Sequence, residues 1–219
     1  MTVETRLADV QMRMQSASRR ARRDPAATAL IAVSKTFGAK DIQPLIAAGQ
    51  RRFGENRVQE AQAKWPALKA AHPDIELHLI GQLQSNKAAD AVSLFDVIHS
   101  VDRPSLVSAL AGAMVSQNRH LPCLLQVNIG DEPQKGGCTI ADLPALLADA
   151  RSAGLDIIGL MAIPPAALDP APFFALLHKL ARRHGLTHCS MGMSSDFETA
   201  IALGSTMVRV GSALFGDRA

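Results

Sequence analysis

Lys35 directly follows the apolar run ALIAV at 29–33, so its stem begins where a buried segment ends. Desolvation of a lysine favours the neutral amine, and a neutral amine attacks an aldehyde to form a Schiff base. The ordinary alternative is a solvated or salt-bridged lysine. Lys135, in QKGG, competes for the same chemistry but sits beside flexible glycines. Two further clusters suit an anion: Ser194 and Ser195 in MGMSSD, and Gly211 with Ser212 just after TMVRV. Glycine lets backbone N–H groups approach an anion closely, and serine hydroxyls add donors. Asp196 opens FETAIALG, a helix start whose free N–H groups could face the same anion. The competing reading is that Ser194 only caps that helix. Arg209 stands two residues before Gly211. An inward arginine at a strand end is costly unless paired. It faces either a ligand's ring nitrogen or carboxylate, or a structural ion pair with Glu55 or Asp196.

Other polar residues carry less. His78 and His99 fall within apolar strand patterns and read as satisfied core histidines. His178 and His184 lack an HExxH arrangement, so no metal site is expected. The run SRRARR at 18–23 is basic without interleaved aromatics, and it reads as a solvated helix end rather than a nucleic-acid contact.

The elements that must position these residues alternate strictly. Apolar strand patterns occur at 29–33, 51–55, 75–80, 95–100, 122–129, 155–163, 186–191 and 206–210, with helical stretches between them. Eight strands alternating with seven helices predict an α/β protein: a single (β/α)8 TIM-type barrel over 1–219. An extra N-terminal helix is expected within 1–25, before the barrel at 26–219. Val3, Leu7, Val10, Met14, Ala17 and Ala21 share one of its faces, and Asp24-Pro25 stops it. That helix either takes the eighth ring position or covers an end. A doubly wound open sheet is the structural alternative. In a barrel the chemistry belongs at the C-terminal strand ends, often with phosphate held after strands 7 and 8. Lys35, Asn56, Ser194, Ser195, Arg209, Gly211 and Ser212 all fall at such ends.

A chain of 219 residues with 47% hydrophobic and 20% charged residues suits one globular domain without disulfide or metal staples. The net charge of +3 gives no reason to expect a nucleic-acid or membrane partner. Cys123, Cys138 and Cys189 form no CxxC pair, and the N-terminus has no apolar h-region. Reduced thiols in a cytoplasmic protein are the expectation.

The segments ALIAVSKT, AGQRRFGENRVQEAQAKW, HLIGQLQSNK, HSVD, QVNIGDEPQKGG, GLMAIPP and SMGMSSDFETAIALGSTMVRVGSALFG occur in this order over residues 28–216. Together they resemble the YggS/PROSC family of pyridoxal 5′-phosphate (PLP) binding proteins. The resemblance implies a barrel like that of alanine racemase, with PLP on Lys35 as a Schiff base. It implies phosphate contacts from Ser194, Gly211 and Ser212, with Ser195 at a position that varies within the motif. It places Arg209 near the pyridine nitrogen and Asn56 close to the cofactor. The implied role is PLP homeostasis: buffering, carrying or delivering the cofactor, possible recipients being PLP-dependent apo-enzymes, with effects on amino-acid and keto-acid balance. A monomer is expected. The alternative is a PLP-dependent racemase or decarboxylase. Related racemases use a tyrosine from a second domain, and this sequence has no tyrosine.

Overall fold

The structure is a computed structural model that describes residues 2–216, so the domain read over 1–219 extends past the described residues at both ends. Eight parallel strands close into a barrel in simple sequence order. They are β1 (Ala29–Val33), β2 (Arg52–Glu55), β3 (Glu76–Leu79), β4 (Val97–Val101), β5 (Cys123–Gln126), β6 (Ile157–Met161), β7 (His188–Ser190) and β8 (Met207–Val210). Closure is made by β1 on β8, with Ile31 level with Arg209 and Ala32 with Val210. The open-sheet alternative is thereby excluded.

Alternation within each strand separates two cores, because successive side chains of a strand point to opposite faces. Ile31, Val97, Leu124, Met161 and Met207 pack together inside the barrel. Leu30, Ala32, Phe53, Leu77, Ile98 and Val208 point outward against the helices. β5 is shorter than the 122–129 pattern because the chain turns away after Gln126. Val127 bridges to Cys138, and Asn128 closes the loop through both its amide and its carbonyl to Glu132.

The helical ring holds α1 (Val3–Arg20), α2 (Ala39–Ala47), α3 (Val58–Gln62), α4 (Trp65–Ala71), α5 (Ala88–Leu94), α6 (Pro104–Gln117), α7 (Leu143–Ser152), α8 (Ala171–Arg183), α9 (Phe197–Ala202) and the single turn α10 (Ser212–Phe215). The stretch after β2, expected as one helix, splits into α3 and α4 at Ala63-Lys64, ahead of Pro66. Helix α1 buries Leu7, Val10, Met14 and Ala17 and packs against α9, α10 and α2. It therefore fills the eighth ring position, which α10 is too short to occupy. It ends at Arg20, short of Ala21, and Pro25–Ala27 forms a separate 3₁₀ turn capped by the Asp24 side chain. No helix among the described residues is long and apolar enough to cross a membrane.

Candidate functional site

The C-terminal mouth of the barrel encloses a cavity of about 490 Å³, within the range of roughly 300–1,000 Å³ typical of small-molecule sites. All seven candidate residues line it: Lys35 and Asn56 on one side, Ser194, Ser195, Gly211 and Ser212 on another, and Arg209 between them. Val33, Ile80 and Ile163 supply apolar walls. Lys135 is not among the lining residues. It opens instead on an adjoining chamber, with its Nζ 2.5 Å from Glu132 Oε2 and donating to the Pro164 carbonyl at 3.0 Å.

Lys35 occupies the first turn after β1, half-buried, and Thr36 beyond it takes a left-handed conformation with φ +68°. That turn is held from behind. Lys64 Nζ donates to the carbonyls of Ser34 and Phe37, each at 2.8 Å, bracketing Lys35 and Thr36. The same ammonium lies 2.8 Å from Glu55 Oε1, which also accepts from Ser34 Oγ at 2.5 Å and Trp65 Nε1 at 2.9 Å. Glu55 is wholly buried, so its negative charge depends on these donors. Glu55 is therefore not the partner of Arg209 that the sequence allows; Lys64 takes that place because α4 begins beside the turn. Asn56 is fixed by contact rather than by charge. A Cβ on Gly81 would lie 2.2 Å from the Asn56 carbonyl oxygen, so only glycine lets the loop after β3 press this closely.

The loops after β7 and β8 meet at Ser194. Its hydroxyl oxygen accepts from the backbone N–H of Gly211 at 3.2 Å and of Ala213 at 3.4 Å. It does not cap α9: Asp196 is the N-cap there, and its carboxylate accepts from Met193 N. Two backbone N–H groups thus converge on one oxygen at the cavity wall. Gly192 lets the loop after β7 press against α9, with φ +95° and an added Cβ only 2.5 Å from the Ala200 Cβ.

Arg209 is 4% exposed and forms no ion pair with Glu55 or Asp196. Its Nη1 donates to Ser190 Oγ at 2.6 Å and its Nη2 to the Ala162 carbonyl at 3.0 Å. Burial pushes its pKa down to about 10, against a smaller attraction from Asp196. The guanidinium is still charged at neutral pH and is held by neutral acceptors. Among the described residues no cluster of three or more His, Cys, Asp or Glu could hold a metal ion.

Sequence reasoning missed Lys64, Trp65 and Ser190. The signal for the first two was the short QAKW segment, whose Trp65 lies ten residues after Glu55; nothing local marks Ser190.

The family described as "Alanine racemase, N-terminal domain" matches residues 6–219. The pyridoxal phosphate homeostasis protein of Pseudomonas aeruginosa is 40% identical over 99% of this chain and 96% of its own. That of Escherichia coli K12 is 39% identical over 97% and 95%. Among solved structures, PipY of Synechococcus elongatus with PLP bound is 41% identical, with TM-score 0.83 over 98% of this chain and 100% of its own. Alanine racemase of Streptomyces coelicolor shares the fold at 22% identity, TM-score 0.69, over 97% of this chain but 59% of the racemase.

Proposed function

This chain belongs to the family of pyridoxal phosphate homeostasis proteins, within the alanine racemase N-terminal domain family, and from that membership we propose that it binds PLP covalently through Lys35 and buffers or delivers it. When bound, PLP supplies an aldehyde that reacts reversibly with amines. The residues of the mouth suit such a group. Lys35 offers the amine, and Val33, Ile80 and Ile163 offer an apolar slot for a flat ring, with Asn56 at its edge.

The observation that carries the reading is the convergence of the Gly211 and Ala213 N–H groups on Ser194 Oγ, on the cavity that also holds Lys35. A phosphate oxygen can take the place of that hydroxyl as acceptor, with Ser194, Ser195 and Ser212 then donating to it.

A quiet carrier is favoured over a racemase or decarboxylase. Arg209 keeps its proton at neutral pH, so it disfavours protonation of a ring nitrogen facing it and weakens the ring as an electron sink. Racemisation also needs a second acid–base group opposite Lys35. The sequence has no tyrosine. Cys189 packs in the outer core, its thiol pushed up to about 11 by burial. His78 and His99 bond to each other within the barrel and do not line the cavity. The three buried, unpaired thiols suit a reducing cytoplasm, and a monomer that hands PLP to apo-enzymes is the simplest arrangement.

The test is borohydride reduction of protein loaded with PLP, followed by peptide mass spectrometry. The label is expected on Lys35 and absent from Lys35→Ala. A label on Lys135 sinks the assignment.

A further inference from the structure

Below the cavity, the barrel interior holds a chain of polar side chains that the proposed function leaves unused. It starts at Ser190 Oγ, which accepts from Arg209 Nη1 at 2.6 Å. Ser190 Oγ lies 2.9 Å from His99 Nδ1, and His99 Nε2 lies 2.9 Å from His78 Nδ1. His78 Nε2 lies 2.9 Å from Glu76 Oε1, in contact with the carboxylate though not aligned as a hydrogen bond. Glu76 also faces Arg52, whose Nε is 3.4 Å from Oε2. Ser190, His99 and His78 are buried, whereas the Glu76 side chain is 40% exposed at the lower end. The members come from β7, β4 and β3, so only barrel closure makes them contiguous.

Hydrogen-bond chemistry gives this chain one direction. A neutral imidazole has one N–H and one lone pair, and an ionised carboxylate only accepts. His78 and Arg52 hold the Glu76 carboxyl below its usual range, so it is ionised at neutral pH. Burial first, and then the nearby charge of Arg209, hold His99 well below the usual histidine range, so it is neutral at neutral pH. Facing a neutral His78, the carboxylate favours the tautomer with the proton on Nε2. His78 Nδ1 accepts from His99 Nε2–H, His99 Nδ1 accepts the Ser190 O–H, and the Ser190 oxygen turns only lone pairs toward Arg209. With a neutral His78 the opposite direction sets its lone pair against the carboxylate and leaves the Ser190 proton without an acceptor in the chain; only an N–H on both nitrogens of His78 would reverse the chain without that clash.

We propose that Glu76, His78, His99 and Ser190 are positioning residues, through which a carboxylate at the lower end of the barrel sets the direction of the Arg209 guanidinium in the cavity above. This rests on the reading that Arg209 faces the pyridine nitrogen of PLP. The first test needs no cofactor: ¹⁵N NMR of the ring nitrogens in apo-protein. Both His78 and His99 are expected to carry the proton on Nε2 at neutral pH. In Glu76→Gln the amide can donate or accept, so Nδ1–H forms grow in. Affinity for PLP, measured by equilibrium dialysis, then falls about threefold to tenfold, and the absorption band of bound cofactor shifts. Ser190→Ala is expected to weaken PLP by about tenfold, and Ser190→Thr to restore it. An Nδ1–H tautomer on either histidine of the wild type overturns the relay. So do unchanged affinity and band in Glu76→Gln and Ser190→Ala when Arg209→Met alters both, an outcome that leaves the cofactor site standing. If Arg209→Met alters neither, the placement of Arg209 at the ring fails and the relay fails with it.

Discussion

Two cations stand close to the cavity, a part-buried Lys64 and a buried Arg209, and they are held in opposite ways. Lys64 sits behind the Lys35 turn with its charge matched by Glu55 at 2.8 Å and its remaining donors taken by two carbonyls. Arg209 sits at the cavity wall with a hydroxyl and a carbonyl for partners. A buried charge without an opposite charge is expensive. Under the proposed function, the difference separates a group that builds the site from one that meets the ligand. The first closes locally between β2 and α4; the second reaches from β8 to Ser190 on β7 and to Ala162 just past β6.

The same substitution at the two positions should therefore give effects of very different size. Lys64→Met leaves Glu55 buried and uncompensated, and should cost about 3–5 kcal/mol of stability in urea denaturation. The double variant with Glu55→Gln should recover a large part of that loss. If Lys64→Met is as stable as the wild type, the contrast between the two cations collapses.

The anion end, built from neutral donors, sharpens the contrast by ligand instead of by stability. Removing a hydrogen bond to a charged group costs roughly 1.5–3 kcal/mol. Ser194→Ala with Ser212→Ala should weaken PLP more than pyridoxal, which lacks the phosphate. Equal losses in titrations with both would reduce the serines to structural contacts.

Stability against pH tests the neutral side of the comparison. His99 is held well below 6.5 in the folded protein, by burial first. The unfolded chain therefore binds a proton below about pH 6.5 that the folded chain refuses, and stability falls as pH drops through that window. One such proton costs up to about 1.4 kcal/mol per pH unit. Denaturation at pH 7 and pH 5.5 should show this slope, and His99→Phe should flatten it even if it lowers stability throughout.

The smallest effect is expected at Arg209. Arg209→Met removes a desolvated charge but leaves the Ser190 hydroxyl and the Ala162 carbonyl without their donor, so stability should change by about 1 kcal/mol or less in thermal melts. A loss as large as that of Lys64→Met would mean that Arg209 is structural and not poised for a ligand.

Local patterns in the sequence were enough for the barrel and for the positions at its mouth. Strand–helix alternation specifies parallel order, and the period of two places Lys35, Asn56, Arg209 and Gly211 at or just past strand ends, where one face turns inward. Partner choice was not legible. Glu55 pairs with Lys64 instead of Arg209 because α4 starts beside the β1 turn. Ser194 meets Gly211 N and Ala213 N instead of capping α9 because β7 and β8 are neighbours. The strand pattern marks His78 and His99 as satisfied core histidines, and both are buried, though His78 Nε2 lacks a hydrogen-bond partner; their bond to each other and to Ser190 joins residues up to 91 positions apart. Such contacts depend on which side chains barrel closure brings within about 3 Å, a distance that hydrogen bonding requires and that sequence spacing does not encode.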